Sequence, residues 1–214
     1  LETVMGSRYR MQHGAPLVLL ALGCLVLTGC LRASGPFSDD FSDPGSGWGA
    51  ASHETYVRGY QQGRYLIQID VPRWFVWATA GRSYEQADVE TITQSSGEMD
   101  NHYGVLCRYN KGQGYYFAIS ADGYYGIFLQ EDEETLVPLH GPAMLRSPAI
   151  RTDGSPNRLL ATCEDDELTL YVNGEQIAQV EDNTIARGDV GMAAGTSRRG
   201  GTTVWFDDFA VSSP

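Results

Sequence analysis

The chain has 214 residues, a length that suits one or two folded domains. Its 25 glycines and 12 tyrosines, together with many threonine, valine and isoleucine residues, favour strands and turns over helices. The net charge of −12 repels phosphate backbones and anionic headgroups, so composition argues against nucleic-acid binding and against electrostatic docking to a membrane.

The segment 1–36 has the pattern of an export signal followed by a short tether. Arg8 and Arg10 precede an apolar run at 15–27, shorter than the stretch of about 20 residues that spans a bilayer. The run ends in Leu-Thr-Gly-Cys, which resembles the lipobox that bacterial lipoprotein signal peptidase reads. We therefore predict a helical signal peptide at 1–29, a lipidated Cys30 with a tether at 30–36, and one domain at 37–214.

A diacylglycerol on Cys30 would anchor the domain, because two acyl chains hold a protein at a bilayer where one does not. The resemblance thus implies a lipoprotein of the cell membrane that faces outside the cytoplasm and whose membrane partner is reached through the lipid. An ordinary secretory leader and an uncleaved anchor are the alternatives.

Two turn dipeptides predict hairpins in the domain. Asp122-Gly123 and Asn173-Gly174 have the turn chemistry that two-residue hairpin loops prefer. With one more strand before each hairpin, they predict two three-stranded meanders, at 103–109, 115–120 and 124–130, and at 157–164, 168–172 and 175–180. Other strands are predicted at 63–70, 74–80, 87–94, 190–194 and 202–211. Roughly ten to thirteen strands are too many for one open sheet, so we predict an all-β fold, a two-sheet antiparallel β-sandwich.

Alternation along the predicted strand 103–109 assigns its faces. The inward set is Tyr103, Val105, Cys107 and Tyr109, and the outward set is Gly104, Leu106, Arg108 and Asn110. Cys163 also falls on the inward face of its strand, so Cys107 and Cys163 are predicted to form a disulfide in an oxidising compartment. The alternative is a pair of buried free thiols.

Five segments carry a resemblance to a known family: 39–44 with 47–48, 103–109, 116–125, 168–174 and 204–209. They resemble the concanavalin A-like lectin/glucanase superfamily, in particular its 3-keto-disaccharide hydrolase-like, laminin-G-like branch. The resemblance covers nearly the whole domain and implies a jelly roll whose first and last strands pair, which would bring Asp39 and Asp40 near Asp207 and Asp208. Turns and core strands carry it, so it supports a fold better than an activity.

The enzyme hypothesis has little support among the residues. Retaining glucanases of this superfamily carry a strand motif Glu-x-Asp-x-(x)-Glu, which places two carboxylates about 5 Å apart across a sugar bond. The chain lacks that motif: Asp88 and Glu90 share a strand face without a third acid, and the acidic runs at 131–134 and 164–167 are predicted to be solvated turns. We predict no catalytic residue, with a glycoside hydrolase as the alternative that the resemblance implies.

Aromatic side chains favour a binding function, since jelly rolls commonly bind sugars by stacking pyranose rings on them. Trp74 and Trp77 lie on opposite faces of one predicted strand, so at least one of them points away from the core. The other predicted ligand-binding residues are Arg108, Asn110, Tyr116 and Tyr124. We predict binding of carbohydrate or a cell-envelope component. A structural or protein-interaction module, with the aromatics packed at sheet edges and under loops, is the alternative.

A structural calcium ion is the one cofactor that the sequence suggests. Carboxylates and carbonyls from paired chain ends can form an oxygen-rich site, and Asp40 and Asp208 are its candidate ligands. Both residues could equally cap turns or solvate strand ends.

Overall fold

The computed structural model of the protein describes residues 35–213. The predicted signal peptide at 1–29, the lipidated Cys30 and most of the tether lie outside the described residues. Within 35–213 no helix is long and apolar enough to cross a membrane.

The described part of the chain is all-β and contains sixteen strands, more than the sequence predicted. The first eight are β1 Phe37–Asp39, β2 Ala51–Ser52, β3 Tyr56–Gln61, β4 Arg64–Ile69, β5 Phe75–Tyr84, β6 Ala87–Gly97, β7 Asn101–Asn110 and β8 Gln113–Ile119. The others are β9 Tyr124–Gln130, β10 Leu136–Pro138, β11 Leu145–Arg146, β12 Asn157–Glu164, β13 Glu167–Val172, β14 Glu175–Glu181, β15 Gly188–Thr196 and β16 Thr202–Ser212. The additional strands include some of only two or three residues, which are too short for alternating side chains to indicate a strand.

The strands form two antiparallel sheets, so the predicted two-sheet sandwich is confirmed. The nine-stranded sheet has the order β14-β13-β12-β6-β16-β4-β3-β2, with β1 paired to β16. The seven-stranded sheet has the order β10-β9-β8-β7-β15-β5, with β11 paired to β9. Both predicted meanders exist, and each lies in a different sheet.

The two hairpin turns differ in geometry. Asn173 and Gly174 both have positive φ, 53° and 87°, which is the two-residue turn that Asn-Gly prefers. Asp122 and Gly123 instead belong to a four-residue connection from 120 to 123, in which the Gly123 amide donates to the Ser120 carbonyl at 3.1 Å. Gly123 alone of that pair has a positive φ, 92°. The predicted hairpin is confirmed, and its connection is one residue longer than the three residues, 121–123, that lay between the predicted strands.

The core lies between the sheets and is closed at one end by the pairing of the first and last strands. Asp39 lies opposite Phe209 in the β1–β16 pair, and its carboxylate accepts a hydrogen bond from the Trp48 indole nitrogen at 2.8 Å. The Trp48 ring is buried and meets the Phe209 ring edge-on, with the centroids 4.7 Å apart. Asp39 therefore helps to hold the buried Trp48 ring against the β1–β16 pair.

A disulfide between Cys107 of β7 and Cys163 of β12 joins the two sheets. Both cysteines are buried in the main core cluster, as their inward strand positions predicted. The predicted bridge is confirmed.

A β-bulge near the end of β7 reverses two of the predicted side-chain directions. The pairing of β7 with β8 shifts register between Cys107 and Asn110, and Arg108 has a φ of 53°. One extra residue moves each following side chain to the other face. Tyr109 consequently leaves the main core, and Arg108 turns its guanidinium toward the inward-facing Tyr115 ring. The predicted inward Tyr109 and outward Arg108 were both wrong.

Candidate functional site

The outer face of the seven-stranded sheet, which points away from the nine-stranded sheet, carries a second apolar cluster. Its fully or nearly buried members are Leu106, Tyr109, Tyr116, Ala118 and Ala193. Half-buried side chains pack against them: Phe75 and Trp77 from the edge strand β5, Phe128 from β9, and Leu136 and Met144 from the segment that follows β9. The strands β10 and β11 of this segment pair with β9 at the sheet edge, and Leu136 and Met144 reach the cluster from there.

Aromatic rings form a continuous row across this face. The Trp77 ring lies 5.8 Å from Tyr109 and stacks on Phe75 at 5.9 Å, centroid to centroid. Phe75 meets Tyr116 edge-on at 5.1 Å, and Tyr116 stacks on Phe128 at 6.0 Å. Each ring is therefore in contact with the next, in the stacked, tilted or edge-on arrangements that aromatic pairs adopt.

A cleft of about 730 Å³ opens at the β5 end of this row. Its aromatic side chains are Tyr56, Trp74, Phe75 and Trp77, and Trp74, at 42% exposure, is the more accessible of the two tryptophans. Glu133 and Glu134, from the segment after β9, are also exposed in the lining. The volume lies in the range of small-molecule sites, and the lining combines flat apolar rings with a few polar groups.

The polar lining of the cleft is held in place by hydrogen bonds. Arg58 of β3 donates to the Trp48 carbonyl at 3.1 Å and to the Tyr65 hydroxyl at 3.0 Å. His102 of β7 lies 3.2 Å from the Tyr116 hydroxyl through Nδ1, and its ring stacks on Phe75. Burial lowers the pKa of His102 to about 4, against a smaller opposing effect of Asp100. The imidazole is therefore neutral near pH 7.

The structure brings only part of the predicted ligand-binding set to this cleft. Trp74 and Trp77 line it, as a binding site requires. Tyr116 is on the predicted face but has 0% exposure beneath Phe75 and Phe128, and burial raises its pKa well above the ordinary tyrosine value. Its predicted role as a free stacking surface was wrong, because the sequence did not show that other rings cover it.

Arg108, Asn110 and Tyr124 lie away from the cleft lining. Arg108 is 2% exposed and donates to the carbonyls of Glu85 and Ile185, at 2.7 and 3.2 Å, so a ligand cannot reach its guanidinium. The Arg108 ligand prediction was therefore wrong. Asn110 is exposed at the β7–β8 turn in a separate hollow, and the half-buried Tyr124 lies beneath the Arg146 guanidinium.

The fold also separates the acidic residues that the sequence analysis considered for catalysis. Asp88 and Glu90 lie on the outer face of the nine-stranded sheet, where Glu90 accepts a hydrogen bond from Arg158. Burial raises the pKa of Asp88, and a hydrogen bond with Ser212 opposes this shift. Neither residue lines the cleft. Glu133 and Glu134 do, although the sequence offered only a solvated turn at these positions and no sign that the turn lines a cleft together with β5.

Asp40 and Asp208, the candidate calcium ligands, lie near the β1–β16 pair. Asp40 is exposed and accepts hydrogen bonds from the amide and hydroxyl of Ser42, which lower its pKa. Burial raises the pKa of the neighbouring Asp207, and the hydrogen bond from the Asp208 amide opposes this shift. Across 35–213 no group of three or more histidine, cysteine or acidic side chains is arranged to hold a metal. Calcium binding by Asp40 and Asp208, with carbonyl oxygens as further ligands, stays a prediction.

Comparison with known proteins identifies the fold. No protein-family model and no curated protein matches the chain. Among solved structures, carbohydrate binding module CBM66 from Bacillus subtilis has a TM-score of 0.63 at 16% identity, over 78% of this chain and 96% of that one. A Bacillus licheniformis beta-glucanase has a TM-score of 0.61 at 8% identity, over 86% and 100%. A galectin-like protein of unknown function from Bacillus subtilis has a TM-score of 0.61 at 9% identity, over 83% and 94%. The domain therefore has the jelly-roll fold that its turns and core strands implied.

Proposed function

We propose that this protein is a saccharide-binding module held at the outer side of the cell membrane by a lipid on Cys30. The cleft at the β5 end of the aromatic row carries the proposal for binding. Its combination of Trp74, Phe75 and Trp77 with polar groups is the arrangement that binds sugar rings, because their C–H faces stack on flat aromatic surfaces while hydroxyls take hydrogen bonds.

The jelly-roll fold and the solved structures that share it give general support to the proposal of saccharide binding. A carbohydrate binding module and a beta-glucanase share the jelly roll at low identity. The sequence of this chain departs from both, so the ligand has to be argued from its own cleft.

Replacing Trp77 by alanine is expected to reduce saccharide affinity about 10-fold or more, because the variant removes a large stacking surface from the cleft. The measurement is a glycan array with the full-length wild type in detergent, followed by titration calorimetry of any saccharide that binds. Trp74→Ala, at a more exposed position, should weaken the same saccharides.

The matched control is Trp205→Ala. Trp205 lies on the outer face of the nine-stranded sheet, where the Arg64 guanidinium covers its ring at 4.4 Å. It should leave affinity unchanged although it removes an equally large ring. An array without any wild-type signal, or equal losses in the Trp77 and Trp205 variants, would contradict binding in this cleft and favour a protein-interaction module.

Membrane attachment is proposed from the sequence at Cys30. A strongly acidic domain gains nothing from anionic headgroups, so attachment through two acyl chains suits its charge. Metabolic labelling with a fatty-acid analogue is expected to tag the wild type and to miss Cys30→Ala. Equal labelling of the two proteins would show that the cysteine is not the acceptor, and Cys24→Ala serves as the control for a neighbouring thiol.

A glycoside hydrolase is the second candidate, and the two carboxylates in the cleft lining are the observation that favours it. Glu133 and Glu134 are adjacent residues of an exposed segment, whereas glycosidases place two acids on either side of the scissile bond. Release of reducing ends from a bound saccharide, lost in Glu133→Gln or Glu134→Gln, would establish this activity.

A further inference from the structure

Arg73, at the rim of the cleft, differs from every other arginine in the part of the chain that the structure describes. The others use their guanidinium groups in ion pairs, hydrogen bonds to carbonyls or side chains, or contacts with aromatic rings. Within 35–213 the Arg73 guanidinium makes none of these contacts, although the residue lines the cleft.

The backbone holds Arg73 in position despite its exposure. Its φ is 55°, a left-handed conformation that costs energy for a side chain of this kind. The Arg73 amide donates to the Ser197 carbonyl at 3.0 Å, and the next amide, of Trp74, donates to the Thr196 hydroxyl at 3.1 Å. Thr196 in turn donates to the Val71 carbonyl at 2.8 Å. A strained backbone segment that is held by hydrogen bonds and carries a guanidinium without a partner in the described part of the chain is suited to binding.

The charges around the cleft are unevenly distributed. Arg58 also lines it and spends one guanidinium nitrogen on the Trp48 carbonyl and the Tyr65 hydroxyl, which leaves its other N–H donors. His102 adds no charge near pH 7, so Arg58 and Arg73 are the cations of the lining. The acids of the lining, Glu133 and Glu134, come from the separate segment after β9.

We propose that the cleft binds a saccharide that carries one carboxylate, with the carboxylate at Arg73 and neutral rings on Trp74, Phe75 and Trp77. The planar guanidinium matches a carboxylate with two parallel hydrogen bonds. This inference rests on the proposed saccharide binding and adds the class of sugar.

A single carboxylate fits the charges better than a polyanion. The whole chain has a net charge of −12, and a second carboxylate farther along the saccharide would approach Glu133 and Glu134. Repulsion from both would oppose a polyuronate, whereas one acidic sugar at the end of a neutral oligosaccharide meets Arg73 alone.

The test is an array of oligosaccharides that end in a hexuronic acid, each printed beside the same oligosaccharide with its carboxyl group reduced to an alcohol. Full-length wild type is expected to bind the acidic member of a pair at least 10-fold more tightly. Arg73→Asn should abolish that preference and leave the neutral member within about 2-fold, since asparagine tolerates the left-handed backbone while losing the charge. Arg73→Lys should restore part of the preference, because it keeps the charge but not the fork.

The control is Arg158→Asn, which changes the net charge by the same amount on the outer face of the nine-stranded sheet. It should keep the preference for the acidic member. Equal binding of both members, with no effect of Arg73→Asn, would overturn the acidic-sugar inference and leave saccharide binding intact. Absence of all saccharide binding would overturn both. Tighter binding of polyuronate than of the singly charged saccharide at low salt would overturn the limit to one carboxylate.

Discussion

Replacement of Cys107 and Cys163 by alanine is expected to lower the free energy of unfolding by about 4 kcal/mol. The bridge closes a loop with a sequence separation of 56 and joins the two sheets, β7 on one side and β12 on the other. Without it, the unfolded chain gains the conformational freedom of that loop, while the native sheets lose their covalent link. Both cysteines are buried, so alanine also leaves small cavities in the core.

Urea denaturation followed by tryptophan fluorescence measures this effect. The wild type with and without reductant provides the covalent control, because reduction breaks the same bond without changing the sequence. A double variant that unfolds within about 1 kcal/mol of the oxidised wild type would show that the bridge contributes little, and the jelly roll would then depend on packing alone.

Arg108→Met is expected to destabilise the domain by about 3 to 4 kcal/mol, the second-largest effect. The guanidinium satisfies the carbonyls of Glu85 and Ile185 in a buried position, and methionine would leave both without a donor. Arg108 also has the left-handed backbone conformation of the β7 bulge. Loss of its guanidinium therefore removes contacts that hold the bulge in place. Saccharide affinity, measured where the variant is fully folded, should stay at the wild-type value.

Arg158→Met is the matched control for this prediction. Arg158 forms an exposed ion pair with Glu90, and such pairs contribute less than about 1 kcal/mol. Equal stability losses in the two variants would contradict a special role for the buried guanidinium. A loss of saccharide binding in folded Arg108→Met would return Arg108 to the candidate site.

The local pattern of the sequence predicted most of the strands and the class of fold. Asn173-Gly174 forms its two-residue turn because both residues tolerate positive φ, and this preference acts without help from distant residues. The same holds for the inward alternation that buries Cys107 and Cys163. Where alternation is regular, neighbouring residues alone decide which side chains face the core.

The β7 bulge shows where such local reasoning stops. The alternation around Arg108 and Tyr109 does not indicate that β7 has one extra residue relative to β8. That extra residue nevertheless moves each of the two side chains to the opposite face of the sheet. The energy that selects the bulge comes from contacts distant in sequence: the carbonyls of Glu85 and Ile185 for Arg108, and the Trp77 ring for Tyr109. The sequence predicted both Trp77 and Arg108 as ligand-binding residues, and only Trp77 lines the cleft.

The sequence by itself determined the all-β class, the two meanders, the buried cysteine pair and an aromatic strand region around Trp74 and Trp77, because period-two alternation and turn chemistry depend on neighbouring residues. Only the tertiary structure decided the cleft. It depends on which strand lies at the sheet edge, on the segment after β9 that contributes Glu133, Glu134 and Leu136 to the lining, and on the Arg73 guanidinium at the rim, which has no partner within 35–213. Each of these features depends on contacts between segments that are far apart in the chain. Close packing against those distant segments fixes the cleft, and no local sequence pattern specifies such packing.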